Sequence, residues 1–196
     1  MEIKRPRVLC FGDSNTWGYD PRSYFGSRYA RDVRWTGILE GRGFTVINDG
    51  VNGRAFPRVE ELPGIAAMIC RGMPWDAVLI LLGTNDMLLG RTAEETGARA
   101  DSMLGAVCSA VPPSRVFLIA PPALRRGEWA QEESVLRESR LLPSSLRASA
   151  ARSGVCFLDA SKWDISLAFD GVHFSAEGHR VFAERITAAL RPGFPL

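Results

Sequence analysis

Histidine is nearly missing from this chain: of 196 residues only His173 and His179 carry an imidazole. Any chemistry that needs one must therefore be assembled close to the C-terminus. Lysine is as scarce, with Lys4 and Lys162 the only two, so 22 of the 24 basic residues are arginine (24 − 2). Basic and acidic residues nearly cancel, for a formal charge of +2, and the arginines are scattered rather than striped. That distribution offers no electrostatic footprint for nucleic acid. Long apolar runs are missing too. The longest, 77–82, is far short of the roughly 20 residues a membrane span requires. The polar segment 1–7 leads straight into a strand-like run, which leaves no room for the apolar core of a signal peptide. The expectation is a soluble, cytoplasmic protein without a membrane partner. The four cysteines, at 10, 70, 108 and 156, form no CxxC unit and sit in apolar stretches, so they are read as packed free thiols. With so few histidines, a metal set built on Asp170, His173 and His179 lacks a further ligand, and no metal site is predicted.

What is present is globular. Hydrophobic residues make up 46% and charged residues 23% of the chain, and its length suits one domain with a full core. Five short runs rich in Val, Ile, Leu and Phe recur: RVLCFG at 7–12, FTVIND at 44–49, DAVLILLG at 76–83, RVFLIA at 115–120 and VCFLD at 155–159. Continuous apolar character without alternation predicts strands buried on both faces of a parallel sheet. Helix-like segments lie between them, near 33–42, 58–71, 93–110 and 128–152, with a last one at 175–190. Thr92 before Glu94 and Glu95, and Ser175 before Glu177, read as N-caps. Alternating strands and helices predict an α/β fold, a three-layer α/β/α sandwich on a five-stranded parallel sheet.

Sites in such sheets form past the carboxyl ends of the strands. The residues there are Asp13-Ser14-Asn15, Gly50 to Gly53, Thr84-Asn85-Asp86, Pro121-Pro122-Ala123, and a longer connection ending in Asp170-Gly171-Val172-His173. A serine hydroxyl becomes a useful nucleophile when a neutral imidazole takes its proton. His173 is the candidate base for Ser14, and Asp170, three residues earlier, is placed to orient it. Asp164 is the rival orienter, and His179, inside the last helix, is expected to be structural. An oxyanion formed by attack needs donors: the Ser14 N–H, the Gly53 N–H and the Asn85 side-chain amide are the candidates. The order Ser…Asp…His matches α/β-hydrolases, yet Gly12-Asp13-Ser14-Asn15-Thr16 lacks the second glycine of their G-x-S-x-G elbow.

Gly12-Asp13-Ser14, Gly53 in Asn48 to Gly53, Gly83-Thr84-Asn85-Asp86 and Asp170-Gly171-Val172-His173 together resemble the four blocks of the SGNH hydrolases, the GDSL-like esterases. The blocks stand in the family's order over positions 12–173. The resemblance implies a flavodoxin-like sheet, with Ser14, Asp170 and His173 as catalytic triad and Ser14, Gly53 and Asn85 as oxyanion hole. Asp13 to Gly18 (DSNTWG) and Asp32 to Gly37 (DVRWTG) resemble the arylesterase and acyltransferase branch, which implies short acyl esters as substrates. Asn15 departs from the commoner G-D-S-L, where leucine stands.

Segment 17–35 is unusually aromatic and arginine-rich, with Trp17, Tyr19, Tyr24, Phe25, Tyr29 and Trp35 beside arginines 22, 28, 31 and 34. Beside the nucleophile it is expected to line the pocket or to form a subunit contact. The resembling branch assembles through elaborated loops, which implies a homo-oligomer. Leu124 to Trp129 is a second expected pocket wall, and Trp17, Asn15 and Ala123 are the candidate substrate contacts. Asp86 and Gly50 are expected to serve the backbone. The resulting expectation is an esterase acting on a small-molecule ester through an acyl-enzyme, with acyl transfer to alcohols where water is excluded, and requiring no cofactor. The alternative is a non-catalytic flavodoxin-like module that binds an anion or cofactor.

Overall fold

The computed structural model describes residues 5–193 except Tyr24. Five strands form one parallel sheet in the order β2-β1-β3-β4-β5: β1 (Arg7–Gly12), β2 (Thr45–Gly50), β3 (Ala77–Leu81), β4 (Val116–Ala120) and β5 (Cys156–Asp159). That is the flavodoxin-like order, in which the chain reverses its direction of growth between β1 and β3. The helices are α1 (Ser14–Trp17), α2 (Trp35–Gly41), α3 (Leu62–Arg71), α4 (Thr84–Leu88), α5 (Ala93–Cys108), α6 (Glu133–Ser153) and α7 (Ala176–Leu190).

The sheet divides the apolar side chains between two cores. Leu9, Phe11, Val78, Ile80, Val116 and Leu118 pack with α3, α5 and α6 on one face. Val8, Cys10, Ala77, Leu79, Leu81 and Ile119 pack with α2 and α7 on the other. Successive side chains of a strand point to opposite faces, so a strand covered on both needs an unbroken apolar run. This holds for β1, β3 and β4. The edge strands depart from the expectation: β5 is only partly buried, and Thr45 and Ile47 of β2 are exposed. Each edge strand has a neighbour on one side only, so part of its surface stays open.

Local chemistry sets the helix starts where expected. Thr92 caps α5 by accepting from Glu95 N–H, while Glu95 Oε2 accepts from Thr92 N–H, a reciprocal capping box. Ser175 caps α7 by accepting from Gly178 N–H. The α6 segment begins at Glu133 rather than near 128, and it continues through Pro143, which lies buried inside it. Residues 128–132 are instead part of a loop that reaches the sheet's carboxyl edge. Among the described residues no helix is long and apolar enough to cross a membrane.

Candidate active site

The end of β1 is shaped by close approach. A Cβ on Gly12 would lie 2.1 Å from Thr16 Oγ1, and one on Gly50 would lie 2.1 Å from the Trp17 nitrogen. Both positions must be glycine for α1 to start directly at the sheet edge, which gives Gly50 the backbone role expected of it. Asp13 caps that short helix, its Oδ1 accepting from Asn15 N–H at 2.9 Å. Asn48, at the end of β2, donates from Nδ2 to the Thr16 carbonyl (2.7 Å) and to Thr36 Oγ1 (2.8 Å), and so pins α1 from the opposite side. Ser14 is thereby presented at the topological switch between β1 and β3, almost wholly enclosed.

The connection after β5 brings His173 to Ser14. Asp170 Oδ1 accepts from the N–H groups of Val172 (2.9 Å) and His173 (3.0 Å), folding a tight turn through Gly171 at φ +79°. Its other oxygen, Oδ2, lies 2.6 Å from His173 Nδ1, and His173 Nε2 lies 2.9 Å from Ser14 Oγ. All three side chains are buried. Burial pushes the Asp170 carboxyl up, but the hydrogen bonds from the His173 ring and from the N–H groups of His173 and Val172 outweigh it and hold the carboxyl below its usual range. An ionised Asp170 selects the tautomer with the proton on Nδ1, which leaves Nε2 free to accept from the serine hydroxyl. Asp164 is exposed, and the carboxylate at the imidazole is that of Asp170.

A second loop straps this turn. Arg125 N–H donates to the Gly171 carbonyl (3.0 Å) and Trp129 N–H to the Asp170 carbonyl (3.1 Å). A Cβ on Gly127 would lie 2.4 Å from the Asp170 carbonyl carbon, so backbone meets backbone there. The same loop carries the Trp129 ring to 5.0 Å from the His173 ring, edge-on, while Tyr19 approaches the imidazole at 4.5 Å. Trp17 stands next to Tyr19, at 6.5 Å between centroids, under the Arg28 guanidinium.

Arg54 links the segments that carry the oxyanion candidates. Gly53 is exposed at φ +77°, in the left-handed region that favours glycine, and neither its N–H nor that of Ser14 has an acceptor among the described residues. Asn85 sits in the first turn of α4 and donates from Nδ2 to the Arg54 carbonyl at 3.0 Å, which orients the amide and leaves its second N–H available. The Arg54 guanidinium lies 4.0 Å over the Phe11 ring and donates to the Gly12 carbonyl (3.1 Å) and to both the carbonyl and the carboxylate of Asp49. Sequence reasoning missed this residue, since nothing in a lone arginine after a glycine announces it. Asp86 anchors the same loop, accepting from Phe56 N–H (2.9 Å) and from Arg91 (2.7 Å), the structural duty expected of it. Beside Gly53 a cleft of about 550 Å³ opens, walled by Arg54, Phe56, Ile65, Met68 and Arg91.

Three expected contacts resolve differently. Trp17 lies behind Tyr19 in the aromatic row, one ring removed from the imidazole. Asn15 is buried and its amide is engaged at both ends: Nδ2 donates to the Val172 carbonyl (3.3 Å) and Oδ1 accepts from Phe174 N–H (2.8 Å). It braces the chain on both sides of His173 instead of facing a ligand. Ala123 lines a separate cavity with Trp163, Ile165 and Arg140, because Ser139 Oγ holds the neighbouring Leu124 N–H against α6. Trp129, six positions on, is the residue of that loop that reaches the site. Within segment 17–35, Tyr19 turns to the site whereas Tyr29 and Trp35 pack under α7; Tyr24 lies outside the described residues.

Two further buried groups surround the centre. Burial raises the Asp13 carboxyl to about 6 despite the hydrogen bond from Asn15 N–H, and its Oδ2 has no hydrogen-bond partner among the described residues. His179 accepts at Nδ1 from Trp35 N–H (3.4 Å), and burial, with His173 and Arg34 nearby, lowers its pKa to about 3. It is a neutral packing residue of α7, not a second base.

The chain matches the family described as GDSL-like lipase/acylhydrolase over residues 10–181. No curated protein matches it in sequence. Among solved structures, it is similar to the native aryl esterase of M. smegmatis, at 29% identity and TM-score 0.84, covering 95% of this chain and 99% of that one. A carbohydrate acetylesterase from Sinorhizobium meliloti matches at 26% identity and TM-score 0.83, covering 97% and 100% of the two chains. A member of the lipolytic G-D-S-L family from Veillonella parvula, at 18% identity and TM-score 0.69 over 93% and 96%, shares the fold alone. With the family's blocks spread over nearly its whole length and its sheet in the same architecture, the chain belongs to the GDSL-like lipase/acylhydrolase family.

Proposed function

We propose that the protein is a serine esterase that cleaves small, short-chain carboxylic esters through an acyl-enzyme. The observation that carries this reading is the single imidazole hydrogen-bonded to Asp170 at 2.6 Å on one nitrogen and to Ser14 at 2.9 Å on the other. Ser14 Oγ attacks the ester carbonyl carbon while Nε2 of His173 takes the hydroxyl proton. Asp170 stabilises the resulting imidazolium. The carbonyl oxygen becomes an oxyanion held by the Ser14 and Gly53 N–H groups and the Asn85 amide, donors that need no reorganisation at the moment of reaction. The C–O bond to the leaving group then breaks, His173 returns its proton to the departing alkoxide, and the acyl group stays on Ser14. Water, deprotonated by the same imidazole, attacks the acyl carbon; the bond from that carbon to Ser14 Oγ then breaks, His173 returns the proton to Oγ, and the acid is released. None of these steps calls for a metal or cofactor.

The names of the similar structures favour an aryl or an acetylated-sugar ester, and the near-neutral charge of the chain suits an uncharged substrate. Tyr19 and Trp129 flank the imidazole that activates the second nucleophile, so an alcohol that binds those rings competes with water for the acyl group and gives acyl transfer. Ser14→Ala is expected to abolish turnover of a short-chain aryl acetate, and an organophosphonate is expected to label the wild-type protein once per chain, at Ser14. Unchanged turnover in the variant, or no labelling of the wild type, would sink the mechanism and favour an anion-binding module.

A further inference from the structure

We infer that Asn15 is a positioning residue that sets the separation between nucleophile and base by holding the backbone on both sides of His173. The inference rests on the esterase reading above but assigns a duty to a residue where the commoner family pattern has leucine.

The geometry is specific. Asn15 follows Ser14 directly, and its side chain spans to residues 157 and 159 positions away: Nδ2 to the Val172 carbonyl at 3.3 Å and Oδ1 from Phe174 N–H at 2.8 Å. One amide thus satisfies the acceptor before the base and the donor after it. Its own backbone is fixed as firmly. Asn15 N–H donates to Asp13 Oδ1, and the Asn15 carbonyl accepts from Trp35 Nε1 at 3.0 Å. Trp35 is wholly buried, so this frame is anchored in the core. The carboxylate of Asp170 orients the ring within its own turn, but that turn, closed at i,i+3, says nothing about where Ser14 lies. The cross-chain amide supplies that second coordinate.

Leucine would fill a similar volume and make neither bond. Phe174 N–H and the Val172 carbonyl, both in buried residues, would then lack partners, and a buried unsatisfied polar group is costly to keep. The chain relieves that cost by shifting to find partners, and His173 moves with it. A displacement of about 1 Å of a catalytic group is enough to lower the rate roughly 10²-fold.

The test is Asn15→Leu, with Asn15→Asp as a variant of unchanged shape that keeps the acceptor for Phe174 N–H. Each is titrated with an organophosphonate to count functional sites, and kcat per titrated site is read on the plateau of its own pH profile. Plateau values keep a shifted titration of the base from being mistaken for displacement. The expectation for Asn15→Leu is a kcat per site lower by roughly ten- to a hundredfold with KM within about twofold, since the Asn15 side chain is buried and bonded to backbone. Asn15→Asp, with one of the two bonds, is expected to fall between that value and wild type. Wild-type kcat per site in Asn15→Leu, even with a lowered melting temperature or fewer titratable sites, overturns the inference and leaves Asn15 a folding residue. Should Asn15→Leu not fold, wild-type kcat per site in Asn15→Asp overturns it equally. A wild-type chain that takes up no phosphonate condemns the esterase reading itself, a separate outcome.

Discussion

Replacing Asp170 by asparagine tests the site at the point where the structure leaves the new side chain least freedom. Asp170 Oδ1 accepts from two backbone donors, Val172 N–H at 2.9 Å and His173 N–H at 3.0 Å, while Oδ2 faces His173 Nδ1 at 2.6 Å. An asparagine can put its oxygen on only one of these sides. Turned toward the ring, it would press its NH₂ against two N–H groups in a buried turn, leaving three donors opposed and no acceptor. The turn therefore locks the oxygen in the Oδ1 place and presents the NH₂ to Nδ1. His173 must then accept at Nδ1 and carry its proton on Nε2, the nitrogen 2.9 Å from Ser14 Oγ. A protonated Nε2 cannot take the serine proton. The equivalent substitution in a serine protease leaves the geometry intact and lowers kcat about 10⁴-fold through the wrong tautomer. At about 1.36 kcal/mol per factor of ten, this corresponds to roughly 5.4 kcal/mol of lost transition-state stabilisation. The assay is hydrolysis of a short-chain aryl acetate at saturating substrate, paired with thermal melting and the rate of phosphonate labelling. The expected result is a loss near that size in both kcat and labelling with melting little changed, because the two turn-closing bonds survive. A loss of less than tenfold in a folded Asp170→Asn protein would refute the tautomer argument.

Asn85→Ala is expected to lower kcat by roughly 10²–10³-fold if its free N–H meets the oxyanion; a loss of only a few-fold removes Asn85 from that role. A separate expectation concerns acid stability. His179 is held neutral in the fold with a pKa of about 3 against 6.5 when exposed, so its contribution to stability is complete above pH 6.5 and is lost as the pH falls toward 3. Between pH 6.5 and 4.5 that amounts to about 2 kcal/mol. An asparagine in its place would keep an acceptor for Trp35 N–H without titrating, so His179→Asn should lose less stability than wild type over this range in denaturant unfolding. Asp13, raised to about 6, acts in the opposite sense between pH 3.8 and 6 but is common to both proteins and cancels. Equal acid losses in the two would show that His179 does not carry this dependence.

Much of the fold is local information. β1, β3 and β4 announce themselves because a strand covered on two faces needs apolar residues without interruption, and the caps at Thr92 and Ser175 are short-range hydrogen bonds that the sequence spells out. The boundaries blurred where local pattern loses authority. Residues 128–132 are helix-like in sequence yet belong to the strap over the turn from Asp170 to His173, because backbone bonds from Arg125 and Trp129 to Gly171 and Asp170 tie that loop to the turn. Pro143 reads as punctuation but lies inside α6, where tertiary packing overrides the loss of one helical hydrogen bond.

For the site, the residue types, their order and the resemblance to the family's blocks were enough to put forward Ser14, Asp170, His173, Gly53 and Asn85 as candidates. A nucleophile, a base, an orienter and oxyanion donors are rare chemistry, and two histidines left the sequence little choice. What tertiary structure alone decided is how these groups are held. Asp170 prevailed over Asp164 because its turn folds back on the ring; Trp129 came to the imidazole while Ala123 turned away; Arg54 tied the end of β1 to the loop that carries Asn85. Asn15, a plausible ligand contact by its neighbours in sequence, proved to be bound on both sides of a residue 158 positions distant. A polar side chain at a strand end can pair with any backbone that comes within reach. Which backbone does so depends on the order of strands and the path of loops, a property of the assembled sheet and not of any stretch of sequence.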